Sequence, residues 1–345
     1  MSPLRGYEAA YRVALEDPLW PVGLLDRHIG AERRAERPGS TRFSASGIVE
    51  VMSTQQRPQP ARSAPASGAA YPLPAAGGAS RTAVMVWSAL TFAATAAVTF
   101  VLGDIALTSQ SGQDLDQSAM EAVYAREDTL ERLLGLLGNV SIGTTAVAVA
   151  GCLVLALVRR RYAAAAGALV VVVGANVTTQ VLKRVVFDRP DLGHLSINSL
   201  PSGHTTVVTS VVLAGLLVAP AYARTVLVVL GTFAATFTAA STVVAGWHRP
   251  SDVLAAYAVS LAWGAGVVFV LAVRRPGRFG GSLSTQLGLA LAGAAVAGVL
   301  LIAIGVRPDE GWPGFTDAAL VLGGVGLAAT LTVAAYARLS SVHSA

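Results

Sequence analysis

The sequence predicts an all-α fold: a polytopic bundle of membrane-spanning helices. Three observations carry this expectation. Of 345 residues, 53% are hydrophobic and only 13% are charged, about half the charge of a soluble domain. From Ala83 onward apolar stretches recur at the length that crosses a hydrocarbon core, about 20 residues. Those stretches are built from Ala, Val, Leu and Gly, and aromatics contribute only 6%; small side chains let helices approach closely in a bilayer. The stretches are too long for strands, and in lipid the backbone must be satisfied within the segment, which a helix achieves.

Taken in order, residues 1–82 read as a disordered cytoplasmic tail. Its segment "STQQRPQPARSAPASGAAYPLPAAGGAS" buries too little apolar surface to fold. The stretch before it, "GYEAAYRVALEDPLWPVGLLDRHIGAERRAE", has the pattern of a short amphipathic helix. Met52 stands where a second translation start would fall, an expectation that native protein beginning at Met1 would end. Eight spans are expected near 83–102, 137–158, 162–182, 203–223, 225–246, 253–273, 287–306 and 316–337. Arg57, Arg62, Arg81, the run Arg159–Arg161, Arg224, Arg274, Arg275, Arg278 and Arg338 then fall on one side, which the positive-inside rule makes the cytoplasm. Both termini are expected inside the cell membrane, with the loops 103–136, 183–202 and 247–252 and the segment "RPDEGWPGF" outside. Cys152, the single cysteine, lies mid-span and reads as a packing residue. The net charge of +5 belongs to loop arginines; no cluster joins Lys and Arg to stacking aromatics, so no nucleic-acid partner is expected. Trp247 and Trp312 are expected in the interfacial belt.

Lys183, Arg184 and Arg189 break the charge rule by standing outside. Lys183 is also the one lysine among 25 basic residues. They open a set of three groups at the outer ends of the third to sixth spans: "LKRVVFDRP", "PSGH" (Pro201–His204) and "STVVAGWHRPSD". Each has an ordinary structural reading, as headgroup anchors, a capped helix start and a hydrogen-bonded pair. Their arrival in one layer points to phosphate chemistry. A phosphoryl group spreads charge over several oxygens and needs fixed cations and N–H donors. Lys183 and Arg189 supply cations. Ser202 and Gly203 open a helix, whose N-terminus favours an anion, and Gly203 leaves room for close approach. Pro250 suits a first helical turn. Asp252 there can reach back to His248, four residues earlier, and make the other ring nitrogen a better nucleophile. His204 would then protonate the leaving oxygen. Asn176, Thr178, Thr179 and Gln180 read as bonds between helices, and His194 as incidental.

These motifs resemble the type 2 phosphatidic acid phosphatase superfamily of membrane phosphatases, which is related in active site to the vanadium haloperoxidases. That family carries Lys…Arg-Pro, Pro-Ser-Gly-His and Ser-Arg…His…Asp in this order. The resemblance covers roughly residues 83–273 and implies a six-helix phosphatase core there. Residues 274–345 would add two transmembrane helices and a short cytoplasmic C-terminus. It implies hydrolysis of a lipid phosphate or diphosphate, of polyprenyl or phosphatidyl type, through a phosphohistidine, with no metal and no cofactor. His248 would be the nucleophile, Asp252 its orienter and His204 the acid; Lys183, Arg189, Ser202 and Gly203 would hold the phosphate. Two departures stand out. Lys183 and Arg189 enclose five residues where the family usually has six. The arginine expected after Ser241 is Thr242, and Arg249 is the candidate replacement cation. The expected partner is a phosphorylated lipid. Alternatives are transfer of the phosphoryl group to a second lipid or sugar, and a catalytically weakened phospholipid binder or transporter.

Overall fold

The computed structural model describes residues 81–138, 142–193, 198–274 and 282–341. The expected tail up to residue 80, Met52, His194, Arg275 and Arg278 lie outside the described residues.

The elements are α1 (Arg81–Thr108), α2 (Gln110–Glu121), β1 (Val123–Ala125), α3 (Glu127–Gly138), α4 (Ile142–Val158), α5 (Tyr162–Val181) with a π-helical turn Leu182–Val186, α6 (Gly203–Val218), α7 (Ala221–Val244), α8 (Pro250–Arg274), α9 (Leu283–Ile304), β2 (Val306–Pro308) and α10 (Phe315–Ser340). Among the described residues, each expected span coincides with a helix over most of its length. Six are long and apolar enough to cross a membrane: α1, α5 with its π turn, α7, α8, α9 and α10. Two fall short of their expected lengths, α4 with 17 residues and α6 with 16. At 1.5 Å per residue α6 is about 24 Å long, less than the ~30 Å of a hydrocarbon core.

α8 is the central helix, packed against α1, α5, α6 and α10. Around it Leu213, Leu216, Leu217, Val268, Val333 and Tyr336 form the main apolar core. Cys152 packs against this core, as expected. Small residues set the closest approaches. α9 crosses α7 at Gly293, where a Cβ would stand 2.2 Å from the Val229 carbonyl oxygen. α5 meets α8 where the Trp263 ring covers Gly174, and Trp263 Nε1 donates to Thr178 Oγ1 at 3.0 Å. Asn176 Nδ2 donates to Ser210 Oγ at 3.2 Å, and Thr179 and Thr206 share a bond of 3.0 Å. Those three polar residues of α5 therefore tie helices together, as anticipated.

The short α6 needs partners at its C-terminal end, because its last carbonyls lie within the bundle. Arginines supply them. Arg224 donates to Leu216 O, to Ala337 O at 2.6 Å and to Ser340 Oγ at 2.9 Å. Arg159 and Arg161 each donate to Val218 O at 3.2 Å. Cations there also suit the negative end of the helix dipole.

At the other end, the region expected as a long loop is structured. Ser109 caps α2, accepting from Gly112 N at 3.0 Å. Gln113 and Asp116, three apart, are buried on one face of α2. β1 pairs antiparallel with β2, Tyr124 opposite Arg307, so the chain leaving α2 is laced to the connection between α9 and α10.

Gly293→Ala is expected to lower stability by about 1–3 kcal/mol through overpacking. Gly288→Ala, in the same helix with open space around its Cβ, should be neutral or slightly stabilising. Thermal unfolding in detergent checks the pair; equal melting temperatures would show that the α7–α9 crossing does not depend on Gly293.

Candidate active site

The stretch "NSLPSGH", Asn198–His204, leads into α6 and meets both neighbouring motifs. Asn198 Nδ2 donates to Lys183 O at 3.1 Å and to Phe187 O at 2.9 Å, closing the π turn. Ser199 Oγ donates to Asp252 Oδ2 at 2.6 Å, and Ser202 N donates to Asp252 O at 2.9 Å. Ser202 caps α6, its hydroxyl accepting from Thr205 N at 3.4 Å. One seven-residue stretch thus binds the first motif to the third.

Asp252 is the point of convergence. With Pro250 as the first residue of α8, Asp252 is the third, and its Oδ2 accepts from Arg249 N at 2.9 Å. This is the carboxylate half of a capping box. The same oxygen faces His248 Nδ1 at 3.2 Å. A carboxylate there holds the proton on Nδ1 and leaves Nε2 with the lone pair. His248 is only 8% exposed. Burial first, then the nearby charges of Lys183 and Arg249, hold its pKa below the ordinary imidazole value, although the bond to Asp252 opposes them. The ring is therefore neutral at neutral pH.

His204, in the first turn of α6, is half-buried. Its ring centroid lies 6.4 Å from that of His248 and 5.5 Å from that of Trp247. Trp247, expected in the interfacial belt, packs on a site histidine; Trp312 is exposed. Beside His204, a Cβ on Gly203 would meet only Gln180 Nε2, 4.0 Å away, so the space over the helix start is open. Lys183 is half-buried while Arg184 is exposed. Arg189 is buried in the loop after the π turn, next to Pro190, whose carbonyl accepts from Gln113 Nε2 at 3.0 Å.

Thr242 is buried, and its hydroxyl turns back along α7 to Ala239 O at 2.7 Å. Its carbonyl accepts from Trp247 N at 3.0 Å and His248 N at 3.2 Å. The position shapes the turn that carries His248 but brings no charge to it.

Four contributors escaped the sequence reading: Asn198, Ser199, Asp116 and Gln117. Asp116 Oδ1 accepts from Ser251 N at 3.0 Å, and its Oδ2 from Ser251 Oγ. Burial, then the charge of Asp252, pushes the Asp116 carboxyl up to about 6. Gln117 Oε1 accepts from Arg249 Nε at 3.1 Å. Removing the Ser199 hydroxyl by Ser199→Ala should cost about 1–3 kcal/mol, since it leaves a buried carboxylate short of a donor. An unchanged melting temperature for that variant would show that Asp252 does not rely on it.

No curated protein and no solved structure matches this chain. The family model of the PAP2 superfamily matches residues 164–276, a stretch from α5 to just past α8. It holds every site residue anticipated from the sequence and excludes α2. The matched stretch carries the two histidines, their carboxylate and the capped start of α6, so the likeness to the PAP2 superfamily rests on the candidate site itself.

Proposed function

We propose that this protein is a membrane phosphatase that removes phosphate or diphosphate from a lipid, through a phosphohistidine, at the outer face of the cell membrane. The match of residues 164–276 to the PAP2 superfamily supports the coarse part, phosphatase chemistry on a phosphorylated substrate. The observation that carries the finer part is the pairing of His248, backed by Asp252, with His204 at 6.4 Å, over the N-terminus of α6.

In this reading His248 Nε2 attacks phosphorus in line. The bond to the leaving oxygen breaks as His204 gives that oxygen a proton, so the product leaves as a neutral alcohol or a lower phosphate. Water then attacks the phosphohistidine, His204 takes its proton, and inorganic phosphate departs with His248 restored. Lys183, Arg189 and the first N–H groups of α6 meet the oxygens that gain charge in both steps. Arg249 stands in for the cation missing at Thr242. The site's place at the end of apolar helices supports a lipid substrate. Arg159, Arg161, Arg224, Arg274 and Arg338, at the opposite helix ends, support an outward-facing site with cytoplasmic termini.

Phosphate release from lipid phosphates by the purified protein tests the reading. His248→Ala should abolish turnover, and His204→Ala should slow it by about 10²–10⁴. Wild-type activity in His248→Ala would remove the phosphohistidine. The lowered pKa of His248 sets a sign for pH dependence. Its charged form appears only below the ordinary imidazole value, so the acid limb of kcat/KM, corrected for substrate ionisation, should fall at a pH under about 6.5. A limb centred at or above that value would contradict a buried neutral nucleophile.

A further inference from the structure

α2 lies outside the segment that matches the family, yet two of its side chains reach the start of α8. Asp116 takes both donors of Ser251, and Gln117 Oε1 takes Arg249 Nε at 3.1 Å. Gln117 is itself oriented: its Nε2 donates to Glu121 Oε1, one turn on, at 2.7 Å, which leaves Oε1 for Arg249. Arg249 is 2% exposed. Its backbone N–H is committed to Asp252, and its Nη1 is buried with no partner among the described residues. A guanidinium is a planar fork, so fixing Nε fixes the direction of the remaining donors. A buried cationic donor without an acceptor is costly unless an anion comes to it. This one stands beside His248, in the motif whose usual arginine is absent at Thr242.

Resting on the phosphatase reading, we propose that α2 is a fourth element of the site: Gln117 positions Arg249 as the phosphate-binding cation that replaces the one missing at 242. Asp116, through Ser251, pins the helix start from which Arg249 hangs. An amide suits the task better than a carboxylate, because it orients the guanidinium without neutralising it. The cation thus enters the site from the start of α8, steadied by a helix of the outer region, and not from the end of α7.

The test uses the full-length chain in detergent and orthovanadate, a phosphate mimic, as the probe. Arg249→Leu should weaken orthovanadate binding by about ten- to a hundredfold, the worth of a charge-assisted hydrogen bond. Gln117→Leu should weaken it by about three- to tenfold, and raise KM for a lipid phosphate more than it lowers kcat. The decisive measurement is the double variant. If Gln117 acts through Arg249, Gln117→Leu adds no loss in the Arg249→Leu background, whereas a general structural role gives additive losses. Arg249→Lys provides a second background should the leucine variant fail to fold, because lysine has no Nε for Gln117 to hold. Gln117→Glu should keep the melting temperature while weakening orthovanadate, since an ion pair competes with the ligand. Wild-type binding that is indifferent to Gln117→Leu, or additive losses in the double variant, would overturn this proposal and leave the phosphatase reading intact. A wild-type chain that binds no orthovanadate would overturn both.

Discussion

A single buried carboxylate holds the site end of this bundle together. Asp252 receives a hydroxyl from the loop before α6, a backbone N–H from its own helix start and the imidazole of His248. Its backbone carbonyl receives Ser202 as well. A carboxylate withdrawn from water is tolerable only when several donors share its charge, and the positive end of α8 adds to them. The requirement is mutual. Each donor is held in place by the group it stabilises, so the cap of α6, the turn after α7 and the start of α8 share one geometry.

That geometry survives in an apolar bundle because the helix ends around it are met by protein partners. The π turn at the end of α5 is closed by Asn198. α6 is too short to carry both its ends to the membrane surfaces, so its last carbonyls are met by arginines and its first N–H groups by Ser202 and the site. The β1–β2 ladder extends the same logic to the region around α2. It fixes the chain beyond α2 to the connection between α9 and α10, and two helices that carry no site residue thereby support the one that touches Arg249.

Much of this was legible in the sequence because it is local. The eight helices follow from apolar length, the start of α6 from Ser202, and the start of α8 with its His248–Asp252 pair from Pro250 and a spacing of four. What escaped is what local pattern does not encode. α2 reads "QSGQDLDQSAME" and shows no apolar stripe, because the face it buries covers a polar site. Gln113 and Asp116 are inside for that reason, and such a helix looks like a loop. Ser199 and Asn198 sit within the conspicuous stretch, but their partners are 53 and 15 residues away. Trp247 has the composition of a membrane-belt residue, and only the fold turns it towards His204. The expected end of α6 runs past the helix because hydropathy continues wherever the following turn is apolar too, as at "VAPAYA".

The way Arg224 reaches Leu216, Ala337 and Ser340 together bears on an oddity of composition, the near-absence of lysine. Spanning three acceptors on two helices from one buried stem calls for a flat group with donors spread along its edge, permanently ionised even without water. An ammonium is a compact tetrahedral centre that sheds its proton when dehydrated. Guanidinium is thus the structural cement of the end where α6 closes, and a lysine at position 224 would give up both the reach and the fixed charge.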